Sequence, residues 1–186
     1  MKLENKRIAI LSEDGFEEVE LTSPLEALKN AGASVDIISP RKGTIRGWKD
    51  DNWSNEIKVD KQVTEVKVSD YNGLLIPGGV ANPDLLRRNK ESIDFVKGFF
   101  TEGKPIASIC HGPQVLIETG ALQGRKLTSF NSIKTDLKNA GAHWVDQEVV
   151  VDQGLTTSRN PDDLDVFNDK MIEEFAEGVH EGQKTV

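Results

Sequence analysis

One cysteine in 186 residues is the first constraint this chain sets. A lone thiol cannot close an internal disulfide, and it cannot build a cysteine-ligated zinc site. Positive charge is also short: 23 lysines and arginines stand against 31 aspartates and glutamates, for a net charge of −8. That balance excludes a nucleic-acid binder held by phosphate contacts. No apolar run approaches the roughly 20 residues that a membrane-spanning helix needs. The opening Met1-Lys2-Leu3-Glu4-Asn5-Lys6-Arg7 is polar and lacks the apolar stretch of a signal peptide. Internal repeats and low-complexity linkers are missing too. The expectation is one cytoplasmic domain over residues 1–186, with a core at about 6–178 and a frayed tail at 179–186, and with neither membrane nor nucleic acid as a partner.

What is present alternates. Short apolar runs at Ile8–Leu11, Val35–Ser39, Gly73–Ile76 and Ile106–Ile109 read as strands buried on both faces. Helical spacing follows them, over Pro24–Gly32 with a glycine stop and through Ile93–Phe100. Strands alternating with helices predict an α/β domain with a mainly parallel sheet and helices on both faces. Near the C-terminus, Glu148–Val151 and Leu155–Ser158 flank Asp152-Gln153-Gly154, the signature of an antiparallel hairpin. Asn160-Pro161-Asp162-Asp163 offers a cap and first-turn acids for a last helix ending near Glu177. Arg41 to Glu56 reads as a long polar connection holding Trp48 and Trp53. Such a loop serves as a lid, packs its indoles on its own domain, or forms a subunit interface.

The cysteine stands where an apolar strand meets a glycine turn, in Ile106-Ala107-Ser108-Ile109-Cys110-His111-Gly112-Pro113, with helix predicted over Pro113–Glu118. A thiol on such an elbow points at a helix N-terminus, whose partial positive charge favours thiolate. Two more loops leave strand ends, where open α/β sheets bind ligands. One is Ser12–Glu20, which carries Glu17, Glu18 and Glu20; spacing alone does not choose among them. A carboxylic acid beside a thiolate stays protonated as a hydrogen-bond donor, or shuttles a proton. The other is Pro77–Asp84, whose Gly78-Gly79 pair lets backbone approach closely. The backbone N–H groups of Gly79 and His111 are the candidate oxyanion donors. His143 and His180 lack ligand spacing to His111, so no metal site is expected.

These pieces resemble the ThiJ/PfpI superfamily, in particular its PfpI-type branch. The matches are Gly15-Phe16-Glu17-Glu18-Val19-Glu20, Leu75-Ile76-Pro77-Gly78-Gly79 and Ala107-Ser108-Ile109-Cys110-His111-Gly112-Pro113. Gly124–Ser129, Asn139–Ala142 and Thr157–Leu164 match as well. The resemblance implies a flavodoxin-like three-layer α/β/α sandwich and a homodimer or larger homo-oligomer. It makes Cys110 the nucleophile, Glu20 the acid touching it and His111 the second catalytic residue. Asp84 falls at the acid supplied across a subunit interface. No cofactor is implied.

Three activities are compatible with that likeness. The first is glutathione-independent glyoxalase or protein deglycase chemistry on a small carbonyl or a glycated protein. The second is intracellular cysteine peptidase activity, and the third is a non-enzymatic role as redox sensor or chaperone through an oxidisable cysteine. Peptidase chemistry needs an oriented imidazole to protonate the leaving amine, which rests on Asp84. Carbonyl chemistry does not, and it ranks first.

Overall fold

The computed structural model describes residues 2–186; Met1 lies outside the described residues. The strands are β1 (Arg7–Leu11), β2 (Phe16–Glu17), β3 (Ser34–Ser39), β4 (Thr44–Lys49), β5 (Asn52–Lys58), β6 (Lys61–Gln62), β7 (Gly73–Ile76), β8 (Ile106–Ile109), β9 (Lys126–Leu127), β10 (His143–Trp144), β11 (Val149–Asp152) and β12 (Leu155–Ser158). The helices are α1 (Glu18–Asn30), α2 (Ala81–Arg87), α3 (Lys90–Thr101), α4 (Gln114–Ile117), α5 (Lys134–Asn139) and α6 (Leu164–Glu177). The main sheet runs β11-β12-β8-β7-β1-β3-β6 and is parallel except for the β11–β12 hairpin.

Period-two alternation in the central strands builds the three layers. In β1, Ala9 and Leu11 join one apolar cluster with Phe95, Phe99, Val115 and Leu116 of α3 and α4. Ile8 and Ile10 join the other, with Leu21 and Leu28 of α1 and Phe167, Met171 and Phe175 of α6. Both faces are therefore covered, and all four residues of β7 and of β8 are buried. This is the expected sandwich, and its strand ends deliver the loops that carry the chemistry.

Four local expectations need correction. The first helix starts at Glu18, six residues before Pro24, which lies inside it. Proline has no N–H to offer the carbonyl four residues back, and that carbonyl belongs to Glu20. The predicted helix after the cysteine shrinks to the four residues of α4, with Pro113 as its N-cap. The Arg41–Glu56 connection is largely a β-hairpin: β4 and β5 pair antiparallel, and β4 also pairs parallel with β2. Its turn is Asp50-Asp51, both left-handed at φ 48° and 58°, a conformation short acidic residues tolerate. The alternation here escapes notice because most of β5 is exposed, so no apolar period marks it.

The C-terminal segment does not fray. Gln183 is fully buried and its amide nitrogen donates to the carbonyls of Lys104 and Gly154, both at 3.2 Å. Its carbonyl oxygen accepts from Nη2 of Arg125 at 2.8 Å. Thr185 Oγ1 donates to the Ala121 carbonyl. Polar contacts, which no hydropathy pattern announces, hold this segment.

Candidate active site

Cys110 leaves β8 in the left-handed region, at φ 62°. A non-glycine residue there costs on the order of 1–3 kcal/mol, and the surroundings must impose it. They do so from both sides: Cys110 N–H donates to the Ser158 carbonyl at 3.0 Å, and the Cys110 carbonyl accepts from Phe130 N–H at 2.9 Å. The thiol is 7% exposed, at the floor of a cavity of about 540 Å³.

The same strained turn solves a geometric problem. Neighbouring side chains on a regular helix diverge, yet His111 Nδ1 lies 3.3 Å from Cys110 Sγ. The imidazole is fixed from two further directions. Its ring stacks on Phe130 at 4.7 Å between centroids, and Nε2 lies 3.0 Å from Ser132 Oγ. A proton on Nδ1 lets the ring donate to a thiolate while Nε2 accepts the Ser132 hydroxyl. Burial pushes the imidazole below its ordinary value, so the neutral ring prevails at pH 7.

Of the three glutamates left open by spacing, Glu20 is the one that meets the sulfur. It is fully buried, and its Oε2 accepts Gly78 N–H at 3.0 Å. Burial, reinforced by nearby Glu17, pushes its carboxyl up to about 8. Its Oε1 has no hydrogen-bond partner, as suits a carboxyl that keeps its proton and offers it to sulfur. Glu17 lines the outer cavity, raised by burial and by Asp50, whereas Glu18 turns to Lys49 and the β5 backbone.

The thiol departs from the sequence expectation. Burial pushes Cys110 well above an ordinary thiol, and the charge of Glu20 adds to the rise. The N–H groups of His111 and Gly79 point at the sulfur and act in the opposite direction, but they are outweighed. A one-turn helix such as α4 supplies too little dipole to reverse this. Thiol and carboxyl instead form a buried pair in which each opposes ionisation of the other, so the pair holds both protons at neutral pH and gives up the first only at about 8.

Gly78 and Gly79 are required by contact. A Cβ on Gly78 would lie 2.5 Å from Glu20 Oε2 and 2.7 Å from Cys110 Cβ. Gly79 sits at φ 78°, and a Cβ there would strike the Gly15 carbonyl. Sequence reasoning missed the residue that ties this loop to the first one. Asn82, fully buried, accepts from Glu13 N–H at 2.7 Å and donates to the carbonyls of Pro77 and Gly78 at 2.8 and 3.1 Å. Its signal was the amide two residues beyond a Gly-Gly-Val turn, masked by the following proline.

Asp84 is not brought to His111 within the chain. It is exposed on α2 and does not line the cavity. The walls are instead Trp48 and Trp53 from the β4–β5 hairpin, packed edge to face at 5.4 Å, with Val80, Phe130 and Pro161 opposite. Among the described residues, no lysine or arginine lines the cavity.

The family model of the DJ-1/PfpI family matches residues 6–174. The chain belongs to the DJ-1/PfpI family. Protein/nucleic acid deglycase 2 of Escherichia coli is 45% identical over 170 residues, covering 90% of this chain and 96% of that protein. The Bacillus subtilis protein YraA, named as a cysteine protease, is 46% identical over 169 residues, covering 90% of this chain and 97% of its own. Among solved structures, Drosophila melanogaster DJ-1beta superposes with a TM-score of 0.83 at 29% identity, covering 92% of this chain and 90% of that one. No helix among the described residues is long and apolar enough to cross a membrane.

Proposed function

We propose that this DJ-1/PfpI member is a cysteine-dependent enzyme acting on reactive carbonyls, as a glutathione-independent glyoxalase or a deglycase. The observation that carries the reading is the buried Glu20 beside Cys110, a proton-holding carboxyl next to a nucleophile. The deglycase name of a relative 45% identical to the chain supports it.

With methylglyoxal, the reactive form is the pair that has released one proton to solvent and keeps the other on Glu20; its thiolate attacks the aldehyde carbon, the C–S bond forms, and the carbonyl electron pair moves to oxygen. N–H groups of Gly79 and His111 stabilise that oxygen, and the proton of Glu20 is delivered to it. Glu20, now a carboxylate, removes the hydrogen on the former aldehyde carbon, giving an enediol. Passage of the hydroxyl proton on the sulfur-bearing carbon to the neighbouring carbon, through Glu20, leaves a thioester. Water then cleaves the C–S bond, returning the thiol and releasing lactate. One carbon is oxidised and its neighbour reduced, so the sum is methylglyoxal plus water to lactate plus a proton, with no external oxidant. The cavity in which these steps run is largely apolar.

Peptidase activity is the second reading, favoured by the protease name of YraA and by an imidazole held on Phe130 and Ser132. Asp84, exposed on α2, serves His111 of a neighbouring copy in the peptidase reading, and a cytoplasmic homo-oligomer is part of the proposal. Redox sensing ranks last, because selective oxidation needs a low-lying thiolate and burial raises this one. The deciding experiment follows lactate by NMR for the wild type and Cys110→Ser, without glutathione or thiol buffer. Steady lactate formation abolished by the substitution is expected. Absence of turnover in the wild type overturns the proposal.

A further inference from the structure

We propose that Glu174, Glu177 and His180 form a site for a divalent cation of zinc's ligand preference, at the C-terminal end of α6 and outside the catalytic cavity. The three sit at intervals of three residues, and one ligand atom from each lies within 4.8 Å of the others. His180 Nε2 is 3.4 Å from Glu174 Oε2 and 3.9 Å from Glu177 Oε2. Ligands at about 2.0–2.1 Å from a tetrahedral ion are roughly 3.3 Å apart, so the first pair already has the spacing of a tetrahedral edge. Glu177 is 56% exposed and has room to close the remaining gap. Its exposure also leaves a fourth position open to water.

The inner half of the cluster lacks the partners that burial demands. The Glu174 side chain is 9% exposed, with no lysine or arginine within ion-pairing distance among the described residues. His180 Nε2 is sealed from solvent and makes no hydrogen bond. A protonated imidazole serving as counter-ion would donate a hydrogen bond from Nε2, and none is made. Glu173, the neighbouring acid, is paired with Lys170 at 2.7 Å.

The backbone holds the ring in place. Gly178, at φ 92°, reverses the chain after α6. His180 N–H then donates to the Gly103 carbonyl at 2.7 Å, and the ring lies against Gly154, where a Cβ would come within 2.8 Å of Cδ2. The 14-residue helix α6 also ends without a basic residue in its last turn. Its negative dipole end faces the Lys6 ammonium, whose Nζ would lie 3.7 Å from a Cβ on Gly178, and the two carboxylates sit beside it. The sequence expectation of no metal looked for partners of His111; this cluster pairs a different histidine with glutamates of the preceding helix.

A bound cation would tie the segment carrying Gln183 to the end of α6. The test uses ZnCl2 in calorimetry and CoCl2 in visible absorption, both on Cys110→Ser so that the catalytic thiol takes no metal. One ion per chain is expected, together with a thermal midpoint that rises on adding zinc. Glu177→Gln, at an exposed position that spares the fold, should weaken binding about tenfold or more, and His180→Ala should abolish it. No binding by Cys110→Ser at millimolar zinc, or equal binding by Glu177→Gln, overturns the proposal.

Discussion

Glu20 concentrates the conflict between stability and chemistry in one side chain. A carboxyl raised to about 8 in the folded state binds a proton that the unfolded chain, near the ordinary 4.5, has already released. Folding stability therefore falls as pH climbs from about 4.5 to 8, by at most ~1.4 kcal/mol per pH unit, and then levels. Glu20→Gln removes that dependence and keeps an acceptor for Gly78 N–H. The variant should lose turnover, and its melting temperature should gain on the wild type between pH 5 and pH 8. An unchanged gap across that range would mean the carboxyl is not raised. Ser132 tests the imidazole in the same way. Ser132→Ala removes one hydrogen bond to His111, worth about 1 kcal/mol, and should lower kcat/KM roughly fivefold. The limb of the pH profile belonging to the imidazole should move with it, while Ser132→Thr restores both. A profile that does not move would reduce Ser132 to a bystander.

Among the elements, the β4–β5 hairpin is where sequence and structure part most clearly. Cys110 was legible because an apolar strand ending in a glycine turn is a local pattern. The three loops at strand ends were legible because the parallel sheet dictates where they gather. Asn82 was not, since its role is to bridge two loops 70 residues apart in sequence through Ser12 and Glu13. Choosing Glu20 over Glu17 and Glu18 needed the family resemblance, because burial that differs across four residues of one helix start is a tertiary outcome. The hairpin was missed because its register is carried by backbone and by one pair of indoles. That pair gives the element its own prediction. Trp53 is 45% exposed, so Trp53→Ala should change stability by no more than about 1 kcal/mol. Loss of its share of the cavity wall should raise KM roughly fivefold, equivalent to about 1 kcal/mol of binding, with kcat little changed. A stability loss with unaltered KM would make the indole pair a packing device for its own hairpin.

At the scale of the molecule, the C-terminal segment closes the sheet from the end opposite the catalytic loops. It reaches the N-terminal ends of β8 and β12 through Lys104 and Gly154, whereas Cys110 and Arg159 follow their C-terminal ends. Arg125 is the centre of that closure. It is 4% exposed and bonded to Asp152 and Gln183, and its Nη1 already lacks a partner. A buried guanidinium tolerates little further loss, because each N–H left dry costs about 1–3 kcal/mol. Gln183→Ala removes an acceptor from Arg125 and the side-chain donor from the Lys104 carbonyl, while the Gly154 carbonyl keeps Ile106 N–H. The substitution should destabilise by about 2–3 kcal/mol, which for a chain of this length lowers the melting temperature by roughly 5–10 °C. Turnover at 25 °C should be unaffected, because Gln183 does not line the catalytic cavity. Thermal melts of the wild type and the variant, set beside their rates, separate the two effects. A melting temperature that does not move would mean the last residues contribute nothing, and that the frayed tail expected from composition was the better description.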